Sequence, residues 1–122
     1  MGTDPLFLQI KRFIEDMILT GSLGPEEQIP SSTQLVAFHK MNHLTVLKGL
    51  NMLVDEQIIY KKRGVGMFVC ADARQRIREV RQQQFMSEFI EPLYRESQKL
   101  GLTVSDLTRL IHQVSQKEAK DE

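Results

Sequence analysis

Residues 42–69 read NHLTVLKGLNMLVDEQIIYKKRGVGMFV, a helical pattern that passes into a hairpin pattern without a break. Asn42 is suited to cap the helix, because its side-chain oxygen can accept from a first-turn N–H that has no intrahelical partner. Val46, Leu50, Leu53 and Val54 follow at helical spacing and form one apolar stripe that faces a core. His43, Thr45, Lys48 and Asn51 occupy the other face, and each can bond to a base edge or a phosphate if the helix lies in a major groove. Leu44 and Leu47 fall off the core stripe, and suit either a thymine methyl or packing against the preceding helix.

Ile58, Ile59 and Tyr60 then open a β-branched and aromatic run that Met67, Phe68 and Val69 resume. The intervening Lys61, Lys62 and Arg63 stand beside Gly64 and Gly66, the composition of a basic hairpin tip whose glycines supply positive φ. A glycine backbone can also approach a phosphate or a narrow groove closely. The stretch therefore reads as a recognition helix followed by a wing.

Working outward toward the N-terminus, Asp4-Pro5 is an N-cap followed by proline at the first helical position. Leu6, Ile10, Phe13, Ile14, Met17 and Ile18 predict a first amphipathic helix, and Gly21 is placed to end it in a left-handed turn. The acidic, turn-rich Gly24-Pro25-Glu26-Glu27 reads as a surface loop. Beyond Pro30, Ser31 or Ser32 caps a second helix with Leu35, Val36 and Phe38 as its apolar face, and Lys40-Met41 turns into the helix at Asn42. Two short helices joined by a tight turn and followed by a hairpin make a winged helix-turn-helix over residues 1–70.

Residues 71–122 differ, with hardly a turn signal among them. Asp72 can cap a long helix carrying Ile77, Val80, Phe85, Met86, Phe89, Ile90, Leu93 and Leu100. Pro92 lies inside it, and an interior proline costs roughly 3 kcal/mol, so a bend is predicted near Glu91-Pro92. Leu100-Gly101-Leu102 is a glycine stop, and Thr103 with Asp106 forms a capping-box pattern for a last helix bearing Val104, Leu107, Ile111 and Val114. Two helices cannot enclose all these apolar faces, so the tail is predicted to pair with a second copy about a two-fold axis through Phe85, Phe89, Leu93, Leu107, Ile111 and Val114. The fold class is mainly α with a small β-hairpin: a winged head and a short two-helix dimerisation tail.

The balance of 16 Lys+Arg against 16 Asp+Glu argues against a chain coated in positive charge for non-specific binding. Local charge says more: residues 40–63 hold Lys40, Lys48, Lys61, Lys62 and Arg63 against only Asp55 and Glu56. No apolar run is long enough to span a membrane, and Asp4, Glu15 and Asp16 interrupt any signal peptide. The single Cys70 cannot form an intramolecular disulfide, and these features together indicate the cytoplasm.

These residues resemble the GntR-type transcription regulators, and among them the small YtrA-like subgroup. The likeness runs through Pro5-Leu-Phe-Leu-Gln-Ile10, Ile29-Pro-Ser-Ser-Thr-Gln-Leu35, Asn42-His-Leu-Thr-Val46 with Leu50, and Arg63-Gly-Val-Gly-Met-Phe-Val69. The short tail around Leu100-Gly-Leu102 is similar to the subgroup's dimerisation domain. The resemblance implies a homodimeric repressor on a palindromic double-stranded DNA operator, with the third helix in the major groove, the wing near the minor groove, and often an ABC-transporter operon as target. It carries Ser31, Thr45, Arg63, Gly64 and Gly66 over as phosphate or groove contacts and keeps a cation at Lys48. At two positions where the family usually has a base-reading arginine this chain has Thr33 and His43, so its base preference should differ from the family's commonest one.

Other functions find less support in the residues. His39 and His43 straddle the turn without a nearby Cys, Asp or Glu, so no metal or cofactor site emerges. Cys70 reads as a small buried hydrophobe, His112 as a polar residue at the edge of the dimer seam, and Arg74, Arg76, Arg78 and Arg81 as a solvated face of a linker helix. No catalytic constellation appears at useful spacing, so the chain does not read as an enzyme. A small-molecule effector is conceivable but not indicated. The alternative for the head is a protein–protein adaptor that does not touch DNA.

Overall fold

Helix α1, Leu6–Leu19, forms where isoleucines recur every fourth residue, and Ile10, Ile14 and Ile18 are all buried. The structure is a computed structural model that describes residues 5–120, so the expected Asp4 cap lies outside the described residues. Pro5 stands at the N-cap position instead of the first helical one, and its carbonyl accepts from the N–H groups of Leu8 and Gln9 at 3.0 and 3.2 Å. Leu6, expected on the core stripe, is exposed. Gly21 adopts φ +88° after the last turn, as its place in the sequence predicts.

Helix α2, Ser32–His39, opens with a full capping box: Ser31 Oγ accepts from Gln34 N–H at 3.1 Å and Gln34 Oε1 accepts from Ser31 N–H at 2.8 Å. Its inward face is narrower than predicted. Leu35 is buried, but Phe38 is 76% exposed, stacked on the Phe13 ring at 6.3 Å and edge-on to the His39 ring at 5.0 Å. Lys40 at φ +54° makes the tight turn, and Asn42 Oδ1 accepts from Thr45 N–H at 2.8 Å to cap α3, His43–Asp55. Val46, Leu50 and Leu53 bury as predicted. Gly49 joins them because a Cβ there would lie 2.6 Å from the Phe7 carbonyl oxygen, so α1 and α3 pack at backbone contact.

Strands β1, Ile59–Lys62, and β2, Gly66–Val69, pair antiparallel with Ile59 opposite Val69 and Lys62 opposite Gly66. The turn is thus only Arg63, Gly64 and Val65; Lys61 and Lys62 belong to the strand and not to the tip. The acidic segment read as a surface loop adds a rung to the far edge of β2. Ile29 N–H donates to Met67 carbonyl and Val69 N–H to Glu27 carbonyl, both at 2.9 Å. That rung satisfies backbone groups an edge strand would otherwise leave open.

Helix α4, Ala73–Phe85, continues the first compact unit through Arg81, past the wing's end at Cys70, because Ala73 and Ile77 enter the same core. Arg81 departs from the expected solvated face. It reaches Glu15 at 2.9 Å and Asp16 at 2.7 Å on α1, and Glu15, only 8% exposed, also pairs with Lys11 at 3.5 Å. Burial alone would lower the Arg81 pKa, but the hydrogen bonds it donates to Glu15 and Asp16 raise it above the ordinary arginine value.

The second unit starts at Gln82. Its backbone is disturbed ahead of Pro92, in a π-helical turn over Met86–Ile90 that closes with Glu91 N–H donating to Met86 carbonyl. Helix α5, Glu91–Lys99, then carries Pro92 in its first turn. The missing proline N–H and the crowding ring explain a widened turn at that point, where the sequence predicted a bend. Gly101 at φ +71° ends α5 in a Schellman motif, with Leu102 N–H on Ser97 carbonyl at 2.9 Å and Gly101 N–H on Gln98 carbonyl at 3.2 Å. Thr103 and Asp106 then cap α6, Val104–Lys120, reciprocally: Asp106 Oδ2 accepts from Thr103 N–H at 2.9 Å and Thr103 Oγ1 from Asp106 N–H at 3.1 Å.

Candidate nucleic-acid interface

A capped helix start presents a polar turn at a fixed angle, and the first unit has two. The start of α2 carries Ser31 and Thr33, and the start of α3 carries Asn42, His43 and Thr45 with Lys48 one turn further on. All are exposed except the half-buried Thr45. The β2 rung ends at Ile29, two residues before the Ser31 cap, so the wing and the start of α2 share one short backbone connection. Two side-chain oxygens are already engaged: Ser31 Oγ and Asn42 Oδ1 each accept a capping N–H, which leaves the serine hydroxyl proton and the asparagine NH2 as the groups free to donate outward.

The cations are held over rings. Lys48 Nζ lies 4.0 Å from the Phe7 ring centroid, and Lys62 Nζ lies 4.7 Å from that of Phe68. Such contacts hold an ammonium over an aromatic face while it stays exposed to an incoming anion. Phe68 in turn stacks on Tyr60 at 5.9 Å, and the Tyr60 hydroxyl donates to the Glu26 carboxylate. That bond, with a smaller contribution from burial, raises the phenol pKa. The wing therefore has an ordered side-chain stack beneath Lys62.

The two glycines differ. Gly64, φ +78°, has open space where a Cβ would be, so its backbone conformation and not crowding is what favours glycine there. At Gly66, φ +148°, the same position is taken by Gln28 Nε2, which donates to Val65 carbonyl at 3.1 Å. The missing side chain at Gly66 leaves room for the protein's own glutamine, a packing the sequence pattern did not reveal. Gln28 is the missed residue here, and its signal lay in tertiary contact alone.

Among residues weighed for other roles, His39 packs edge-on against Phe13 at 4.6 Å with Nε2 buried and lacking a hydrogen-bond partner. The Cys70 thiol is pushed up by burial and then by Asp72, which disfavours the reactive thiolate. No helix among the described residues is long and apolar enough to cross a membrane.

Comparison with known proteins agrees with this architecture. The description "Bacterial regulatory proteins, gntR family" matches residues 6–69. The histidine utilization repressor of Klebsiella aerogenes is 34% identical over 65 residues, which cover 53% of this chain and 27% of that protein. The match thus spans about a quarter of that relative's length. A solved GntR-family structure from Bacteroides thetaiotaomicron has 30% identity and a TM-score of 0.72, covering 93% of this chain and 99% of that one. The AraR DNA-binding domain, solved in complex with operator ORX1, aligns at 28% identity and TM-score 0.54 over 56% of this chain and 82% of that one. With the family pattern spanning the first helix through the wing, the chain belongs to the gntR family of bacterial regulatory proteins.

Proposed function

We propose that this protein is a sequence-specific DNA-binding transcription regulator that works as a repressor, binding a palindromic operator as a homodimer in the cytoplasm. The observation that carries the reading is the first unit itself: exposed His43 and Lys48 on a capped α3, together with a wing turn of Arg63, Gly64 and Val65, in a head similar to one solved on operator DNA. Lys62 and Arg63 supply salt-dependent attraction to phosphate, while Thr33, His43 and Thr45 face bases or the backbone beside them. Residues 1–70 do the binding, and residues 71–122 set the distance between two heads.

Support for the dimer comes from what the second unit leaves uncovered. Phe85, Phe89, Leu93, Ile111 and Val114 are exposed, Leu107 is half-buried, and among the described residues beyond Gln82 only Ser97 is buried. A unit with so little core of its own gains one by pairing with a copy. The placement in the YtrA-like subgroup rests on the tail around Leu100-Gly101-Leu102, the segment that resembles that subgroup's dimerisation domain.

The test is binding of the full chain to a random duplex across a salt series, followed by selection of bound duplexes from a random pool. Binding should fall steeply with salt, and Arg63→Ala should lower the slope by about one unit for all sequences alike. His43→Ala should chiefly change which duplexes are selected. A flat salt dependence, or no binding at low salt, would favour an adaptor that meets protein and not DNA.

A further inference from the structure

Helix α3 advances about 100° per residue, so residues 44, 48 and 51 form one row opposite the buried row of Val46, Leu50 and Leu53. The most outward row is therefore Leu44, Lys48 and Asn51, with the exposed Asp55 at its C-terminal end, while His43 and Thr45 lie on its flanks. Leu44 is 76% exposed, in the first turn after the Asn42 cap, and it does not pack in the core; Leu47 is half-buried. An isolated exposed leucine is ordinary. One centred on the polar, cation-bearing face of a helix is placed where water is displaced only when that face is covered.

We infer that Leu44 is a specificity-determining residue that reads the 5-methyl group of a thymine in the operator. The inference rests on the DNA-binding reading above and deepens it. A recognition helix meets base edges with its N-terminal residues, and in the major groove the thymine methyl is the apolar feature a leucine can cover. Neither Lys48 nor Asn51 can recognise that group, since both need a polar partner. The pair of chemistries on one row, apolar at its start and hydrogen-bonding beyond it, calls for a half-site in which a thymine adjoins bases or phosphates read by polar contact.

The experiment takes the half-site enriched from a random pool and replaces each thymine singly by deoxyuridine, which removes the methyl and leaves the hydrogen-bonding edges unchanged. One position should weaken binding of the full chain about fourfold per half-site, the change that corresponds to one buried methyl. Leu44→Ala, exposed and favourable to helix, should bind more weakly to the thymine duplex and no longer distinguish uracil from thymine there. The inference is overturned if the uracil scan is flat, if no thymine is enriched, or if Leu44→Ala keeps the same discrimination. Failure to enrich any duplex would overturn the DNA-binding reading along with it, which separates the two.

Discussion

Gly49 shows how a single missing side chain sets the head's geometry. A Cβ at this position would meet the Phe7 carbonyl oxygen at 2.6 Å and the Ile10 side chain at 3.1 Å, and a backbone oxygen cannot rotate away. Alanine favours helix by about 1 kcal/mol over glycine, but overpacking against a fixed backbone costs about 1–3 kcal/mol. Gly49→Ala is therefore expected to lower the denaturation midpoint despite its better propensity, and urea unfolding measures it. Glycine is a poor helix former, and nothing local in the sequence announces that another helix crosses at this position. Arg81 was illegible for the same reason: its partners Glu15 and Asp16 lie more than sixty positions away. Asn42 and Ser31, by contrast, act on N–H groups three residues ahead, and so could be read from the chain alone.

At the scale of elements, the ends of helices carry the clearest sequence signals and offer the clearest test. Asp106 has its pKa lowered by the Thr103 backbone N–H first and the Thr103 hydroxyl next; Asp72 has its own lowered first by the hydrogen bond from Arg76. A carboxylate depressed in the folded state stabilises it fully above the ordinary aspartate value of 3.8, and the contribution disappears as pH falls through the lower folded value. Helical circular dichroism should accordingly hold steady with respect to these two groups down to about pH 4 and weaken below it. Thr103→Ala should remove about 1 kcal/mol at neutral pH, read as a drop in melting temperature. The hairpin was legible as a hairpin, but its strands reach further into the basic run than alternation implied, and the rung from Glu27 to Ile29 was not legible at all. Edge pairing of a loop depends on register in space and leaves no period in the chain.

For the whole molecule, the expected outcome is an oligomer whose assembly depends on the second unit. Phe89→Glu should convert a dimer into monomers in sedimentation equilibrium and weaken operator binding, while the first unit, with its own core, keeps its fold. The π-helical turn gives this unit a further property. A step of four residues overshoots one α-helical turn by about 40°, so residues spaced by fours drift around a regular helix. Phe85, Phe89 and Leu93 are spaced by fours, and the wider turn over Met86–Ile90 absorbs part of that drift across the first step. In the language of insertions and deletions, the turn behaves as one extra residue accommodated within an uninterrupted helical run. Deleting a residue within it would restore an ordinary helix and leave the apolar side chains downstream nearly in line with Phe85, whereas deleting one from the regular helix of α5 would swing those beyond it by about 100°.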